Sequence, residues 1–332
     1  MTNVMEAVHP VTGQPLHSNK PAWTGIGYKT NAKTSREALD LANLDWDVKM
    51  GRAEFVAGMP PLTYTYPDKF VTYRTPRNTP IPLGMVGPKY RVLQNRDAFA
   101  LCDELVGTGE ATYESAGMLG NGRRVWMLAR LKEDMVIRAA GGEDISRRFL
   151  LFLNSHDGSS AVEIVPTDMR VTCSNMLNRI RRAGAKHSYK VMHTAGMGGK
   201  LDEIRSIFAA FRKEDLISQA AVQRMADTSL TDLKLGEIVD ELWHFDPDTE
   251  NEKVRDAHYD RSERIQRLFR AGLGSSLAQD TRWGGLNAIT AYVDHVMTET
   301  ATPENRFKSV LLGKGAIIKR AAFSALYVPI QA

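Results

Sequence analysis

The first half of the chain alternates hydrophobic and polar positions in short runs, which is the pattern of half-buried β-strands. Residues 63–66 alternate threonine and tyrosine, and Gly120-Asn121-Gly122 joins two longer runs as a tight turn. Short connections of this kind imply an antiparallel sheet. The predicted strands are Thr63–Tyr66, Phe70–Arg74, Ile81–Val86, Ala111–Leu119, Arg123–Leu131, Phe149–Ser155 and Ser160–Val165.

Elsewhere the apolar period is that of an amphipathic helix. Ser35 is the expected cap of a short helix through Leu44, and Asn95–Val106 repeats apolar residues at helical spacing. From Gly199 onward the pattern is helical to the end, apart from an acidic loop over Asp240–Glu252. The predicted C-terminal helices are Leu201–Met225, Leu230–Trp243, Val254–Ala271, Trp283–Met297, Glu304–Leu312 (capped by Thr302) and Ala316–Leu326.

The segment after Pro166 allows two interpretations. Residues 173, 176, 177 and 180 are apolar at helical spacing, which predicts a helix that ends near Arg182. Met169, Val171 and Cys173 also alternate, so a strand could extend to this point, with Ser174 capping the helix. The start of the helix therefore stays open.

These elements predict an α+β fold in which a basic helix packs on an antiparallel sheet and a mostly helical C-terminal half follows. We expect three parts along the chain. Residues 1–34 form an extended N-terminal arm with Trp23 as a possible anchor, residues 35–198 form the α+β core domain, and residues 199–332 form the helical region.

Composition narrows the class of protein. The chain has 332 residues, of which 43% are hydrophobic and 25% charged, as in soluble globular proteins. Two cysteines in this length fit a reducing cytoplasm and exclude a disulfide scaffold. The first thirty residues contain no apolar run, so we expect no secretory signal and no membrane association.

The sequence lacks the common catalytic motifs. The sequence contains no P-loop, no complete G-x-G-x-x-G, no G-x-S-x-G and no zinc-ligand spacing. We therefore expect no nucleotide hydrolysis, no catalytic residue, no metal and no cofactor. His156-Asp157 resembles a metal-binding doublet, but Asp157-Gly158 is favourable turn chemistry and the structural interpretation is preferred. Cys173, with its apolar neighbours, is expected to be a buried structural cysteine rather than a nucleophile.

Charge points to an anionic partner. Residues 121–200 hold fourteen Lys and Arg but seven Asp and Glu, a local net charge of +7 on a chain whose net charge is +4. A solvated basic face is the alternative. Guanidinium groups on one helix face suit phosphate oxygens. The candidate DNA-binding residues are Arg123, Arg124, Arg147, Arg148, Arg170, Asn175, Asn178, Arg179, Arg181, Arg182, Lys186 and Lys190.

Two further features are weaker candidates for the same role. An acid-free stretch, 305–332, carries Arg306, Lys308, Lys314, Lys319 and Arg320, which bind the same anion or pack against the acidic loop. Trp126 and Tyr113 are candidates for base stacking, although core packing is the preferred role for Trp126.

Several motifs resemble a family of phage- and plasmid-borne proteins that share a domain of unknown function. The resemblance runs over nearly the whole chain. Where that family usually has Asn-Thr-Leu after the cysteine, this chain has Asn175-Met176-Leu177. The segments that carry it are Leu44–Val48, Gly84–Tyr90, Leu93–Phe99, Asn154–Ser160, Arg170–Leu177, Thr281–Trp283, Leu286–Ala288 and Tyr292–His295.

At the level of element order, the chain also resembles the single-strand annealing recombinases of the Red-beta and Erf types. This resemblance implies a DNA-binding protein that anneals single strands in homologous recombination without hydrolysing a nucleotide. It also implies a homo-oligomer, as a ring or filament, in which the sheet and the following helix line a basic groove. The partners it implies are single-stranded DNA, other copies of the chain, and a phage exonuclease or host single-strand-binding protein.

Two other functions stay open at this point. A metal-dependent nucleic-acid enzyme would use His156, Asp157 and a carboxylate such as Glu163. A structural or regulatory phage protein would instead bind another protein through its C-terminal helices.

Overall fold

The chain folds around a large antiparallel sheet, and the predicted α+β class is confirmed. The computed structural model describes residues 20–159, 162–178, 189–191, 206 and 216–328. The strands of the large sheet are β1 (Gly27–Lys29), β5 (Ala111–Leu119), β6 (Arg124–Leu131), β7 (Met135–Ala139), β8 (Gly142–Ser155), β9 (Val162–Arg170), β10 (Met176–Asn178) and β11 (Tyr189–Val191). Their order is β1-β5-β6-β8-β9-β10, with β7 paired to β8 and β11 to β9.

A second, three-stranded sheet is formed by β2 (Lys49–Ala57), β3 (Leu62–Arg74) and β4 (Ile81–Val86), in the order β2-β3-β4. The hairpin predicted for β3 and β4 is present, with its turn at Pro76–Asn78. The strand β2 was not predicted from the sequence. Both of its faces are largely exposed, so its side chains do not alternate between polar and apolar.

Three short helices cover one face of the large sheet. They are α1 (Ser35–Leu41), α2 (Asn95–Phe99) and α3 (Asp103–Gly107). Phe99 and Cys102 are buried there against Phe152 of β8. Thr34, not the predicted Ser35, caps α1, because the Thr34 side chain accepts from the Glu37 amide.

The C-terminal half is helical, as predicted, and packs on the opposite face. Its helices are α4 (residues 216–226), α5 (Asp232–Leu242), α6 (Glu252–Ala271), α7 (Arg282–Ala291), α8 (Pro303–Phe307) and α9 (Lys314–Leu326). The Thr302 side chain caps α8 with Pro303 at its first position, as the sequence indicates. Trp23 is buried edge-on against Phe149, so it does anchor its segment. Among the described helices, none is long and apolar enough to cross a membrane.

The predicted basic helix does not begin where the sequence pattern places it. Val171–Cys173 is a turn, and Met176–Asn178 is β10, which runs antiparallel to β9 with Met176 opposite Met169. Ser174 adopts a positive φ of 51° in this turn instead of capping a helix. The rest of the predicted helix, residues 179–182, lies outside the described residues.

Candidate nucleic-acid interface

The predicted DNA contact Arg170 lies inside the protein. Its guanidinium is 2.7 Å from Asp144, with exposed side-chain fractions of 3% and 0%. Arg170 also donates to the Gly274 carbonyl, and the Trp283 indole donates to the same carboxylate. A cation enclosed in this way cannot reach a phosphate, so its assignment to the DNA site is wrong.

Arg148 and Asn175 are buried as well, and both assignments are corrected. Arg148 is 5% exposed on β8 and donates to Gln219 at 2.7 Å. Asn175 is 4% exposed, donates to the Asn287 carbonyl, and its Oδ1 lies 3.1 Å from Nε2 of His295. The sequence pattern assigns Asn175 to the predicted basic helix. Instead it belongs to the β9–β10 turn, which α7 covers.

Among the described strands, the predicted arginines of β6 and β8 lie far apart. Arg123 is exposed and Arg124 half-buried at the start of β6, where Arg124 donates to the Ser159 hydroxyl at 3.0 Å. Arg147 is half-buried on β8, eight residues before Ser155, the partner of Arg124. Strand geometry then separates the two positions by about 26 Å.

Two other candidates lie on short strands of the large sheet. Asn178 is on β10 and Lys190 on β11. Arg179, Arg181, Arg182 and Lys186 lie outside the described residues.

Two cations of the acid-free C-terminal stretch, Arg306 and Lys319, contribute to packing. Arg306 donates to the carbonyls of Lys20 and Pro21, which fastens the N-terminal segment to α8. Lys319 is fully buried and binds Asp294 at 2.7 Å. Burial lowers the pKa of Lys319, and the Asp294 carboxylate opposes that shift.

The His156–Ser159 segment is the turn that the sequence predicts. His156 is fully buried, with Nε2 2.8 Å from Oδ1 of Asn95. Asp157 accepts from the Ser155 hydroxyl at 2.6 Å and the Ser159 amide at 2.9 Å. Burial alone would raise the pKa of Asp157, but these hydrogen bonds outweigh it and hold the pKa below its usual value. This geometry supports a structural turn over a metal doublet.

The other chemical candidates belong to the core. Cys173 is buried, as expected, and burial raises the pKa of its thiol, which disfavours a nucleophilic thiolate. Trp126 and Tyr113 are both at most 2% exposed. Neither ring can therefore stack on a base. The preferred core-packing role of Trp126 is confirmed, and the stacking role considered for Tyr113 is wrong.

A group of three exposed aromatic side chains lies on the β2–β3 hairpin instead. Phe55, Tyr64 and Tyr66 are 48%, 44% and 48% exposed. The rings of Phe55 and Tyr64 stack with centroids 5.4 Å apart, and Tyr66 meets Phe55 edge-on at 6.4 Å. We call these three residues the aromatic cluster. Beyond it the hairpin tip exposes Met59 almost completely.

Basic side chains accompany the aromatic cluster. Residues 49–91 contain seven Lys and Arg but two Asp and Glu. Six of the seven are exposed: Lys49, Arg52, Lys69, Arg77, Lys89 and Arg91. The three-stranded sheet and its turns therefore combine exposed rings with positive charge.

Close packing joins one end of the three-stranded sheet, at Thr72 and Gly84, to the large sheet. The Thr72 hydroxyl donates to the His156 carbonyl at 2.6 Å. A Cβ on Gly84 would lie 2.4 Å from Cα of Asp157, so only glycine allows the strand to approach this closely. The Arg74 guanidinium lies 4.8 Å from the ring of Trp46 and donates to the Asn121 carbonyl. Two turns of the large sheet thus hold the hairpin base.

The residues of β3 were predicted to form strands but not a binding site. The available signal was the alternation of Tyr64 and Tyr66 with threonines between flanking lysines and arginines. Alternating rings are typical of core strands too. Only the exposure of both hairpin faces distinguishes a binding surface from a core strand.

A family model described as Domain of unknown function (DUF932) matches residues 82–311. The match spans more than half of the chain, so the chain belongs to this family. It begins within β4 and leaves β2, β3 and the aromatic cluster outside. No curated protein and no solved structure matches the chain.

Proposed function

We propose that this member of the DUF932 family binds single-stranded DNA and promotes annealing of complementary strands in homologous recombination, without nucleotide hydrolysis. The observation that carries the proposal is the aromatic cluster, which is solvent-exposed on a basic sheet. Proteins that bind single strands combine these two features, because rings stack on bases and cations neutralise the backbone.

The aromatic cluster favours a single strand over a duplex. Bases in a duplex are already stacked on one another, so their faces are closed to a protein ring. In a single strand they are open, and stacking on an aromatic side chain contributes about 1–3 kcal/mol per base. Stacking also tolerates any sequence, which annealing requires.

The exposed cations supply the phosphate contacts in this proposal. Lys49 and Arg52 lie on β2, the strand that carries Phe55, and Lys69 lies on β3. The stretch from Arg179 to Lys190 remains a second predicted phosphate site. Annealing needs neither general acid nor base, because it only requires neutralised strands with accessible base edges.

Assembly and partners belong to the same proposal. A ring or filament of copies, a phage exonuclease and a host single-strand-binding protein are implied by the element order of the Red-beta and Erf recombinases. The comparisons with known proteins add nothing to that resemblance. The resemblance depends partly on a basic helix after the sheet, and the first part of that predicted helix is the strand β10.

Binding and annealing assays on the full chain test the proposal. Fluorescence anisotropy would measure affinity for a labelled single strand and for the matching duplex at two salt concentrations. Annealing would be followed by energy transfer between complementary strands, with EDTA and without nucleotide. We expect the chain to bind the single strand more tightly than the duplex, with an affinity that falls as salt rises. We also expect complementary strands to anneal faster with the protein than without it.

The basic stretch is tested in the same assay. Replacing Arg179, Arg181 and Arg182 by alanine is expected to reduce the log–log salt slope by up to about two, at about 0.7 per phosphate contact. Equal, salt-insensitive affinity for both DNA forms would overturn the proposal. It would favour a protein partner, which the apolar hairpin tip at Met59 also suits.

A further inference from the structure

The strand β2 stands at the edge of the three-stranded sheet, and among the described residues only β3 pairs with it. It is nine residues long and mostly exposed. An exposed edge of this length carries a row of backbone donors and acceptors ready to pair with another strand. We propose that β2 pairs antiparallel with β2 of a second copy, centred on Ala53, which gives a six-stranded sheet across a two-fold axis.

Charge complementarity selects this partner and this register. A two-fold axis at Ala53 sets Arg52 of each copy opposite Glu54 of the other, so two opposite-charge pairs form. Shifting the axis by one residue to Arg52 or to Glu54 would set like charges directly opposite each other. Only the register centred on Ala53 is electrostatically matched among these three.

The remaining pairs in this register also fit. Met50 lies opposite Val56 of the second copy, and Gly51 lies opposite Phe55. Nothing within the described chain demands a glycine at position 51, since an added Cβ there would only touch the Tyr73 ring at 3.5 Å. An aromatic ring laid across an edge glycine is a recognised stabilising pair in antiparallel sheets.

The pairing would also join two aromatic clusters. Residues directly opposite in an antiparallel pair point to the same face. Phe55 of both copies therefore lies on one side of the six-stranded sheet, with Lys49 of the other copy diagonal to it. This consequence rests on the proposed function, because it describes a longer basic and aromatic surface for a single strand. The dimer itself does not depend on DNA.

Sedimentation equilibrium of the full chain without DNA tests the dimer by charge reversal. Arg52→Glu or Glu54→Arg alone turns both attractive pairs into repulsive ones. Each is expected to weaken self-association on the order of tenfold. The double exchange Arg52→Glu/Glu54→Arg restores both pairs and should restore association. An equimolar mixture of the two single variants should associate as a heterodimer.

The matched control is Arg77→Glu, an exposed charge on the same sheet but outside β2. It should leave the mass unchanged, and circular dichroism would confirm that every variant is folded. A strictly monomeric wild type at micromolar concentration would overturn the proposal. So would single reversals that associate like the wild type, since the copies would then meet elsewhere.

Discussion

The guanidinium of Arg170 lies 2.7 Å from both carboxylate oxygens of Asp144, joining the end of β9 to the start of β8 inside the protein. The Trp283 indole donates to the same carboxylate, also at 2.7 Å, so the pair ties the large sheet to α7. Burial would lower the pKa of Arg170, but the neighbouring Cys173 and Asp144 raise it above the usual arginine value. Arg170 therefore keeps its positive charge in the folded protein.

We expect Arg170→Met to destabilise the protein by about 3–5 kcal/mol, because it leaves the Asp144 carboxylate buried without its cation. Urea unfolding followed by circular dichroism would measure the change. The double variant Arg170→Met/Asp144→Asn should be less destabilised. A single variant within about 1 kcal/mol of the wild type would contradict the structural role of this pair.

The buried His156 gives a second prediction. Replacing it by alanine removes the contact to Asn95 and should cost about 1–3 kcal/mol of stability. His156→Gln keeps a side-chain amide within reach and should cost less. Single-strand affinity of either folded variant should match the wild type. A metal-dependent cleavage activity that disappears in both variants would support the nuclease interpretation instead.

Tyr90 gives a pH dependence. Burial and the nearby Asp157 carboxylate raise the pKa of Tyr90 to about 12 from the ordinary 10.0. Because the fold holds the neutral phenol, its contribution to stability is present below pH 10 and is lost as the pH rises through about 12. Between pH 9 and about 12, the melting temperature of Tyr90→Phe should fall less than that of the wild type. Equal pH profiles would contradict the raised pKa.

Local patterns predicted much of this fold. The Gly120-Asn121-Gly122 turn, the paired strands around it and the capped helix at Thr302 all depend on residues close together in the chain. Their structure is decided by turn chemistry, capping and period, which a single sequence displays.

The segment around Met176 could not be predicted in this way. Its amide donates to Asp294 at 2.7 Å, and its carbonyl accepts from Lys319, so residues more than a hundred positions away complete its backbone hydrogen bonds. Met176 and Leu177 are both buried. Their apolar side chains therefore produce the spacing that a buried helix would show. Periodicity reports burial, but it does not report which distant element covers a residue.

The same limit applies to the site. Arg148 and Arg170 look identical in sequence to exposed cations, but both are buried, with Gln219 and Asp144 among their partners. Tyr64 and Tyr66 look like core residues, yet no element among the described residues covers them. Charge and aromatic content were visible in the sequence, whereas exposure was not.

The most direct test of the central claim is single-strand affinity after removal of the aromatic cluster. Phe55→Ala/Tyr64→Ala/Tyr66→Ala would be compared by anisotropy with the wild type and with Tyr259→Ala, an exposed tyrosine on α6. We expect the triple variant to bind at least about a hundredfold more weakly with an unchanged salt slope, since stacking but no phosphate contact is lost. A folded triple variant with wild-type affinity would contradict the claim that this hairpin binds single-stranded DNA.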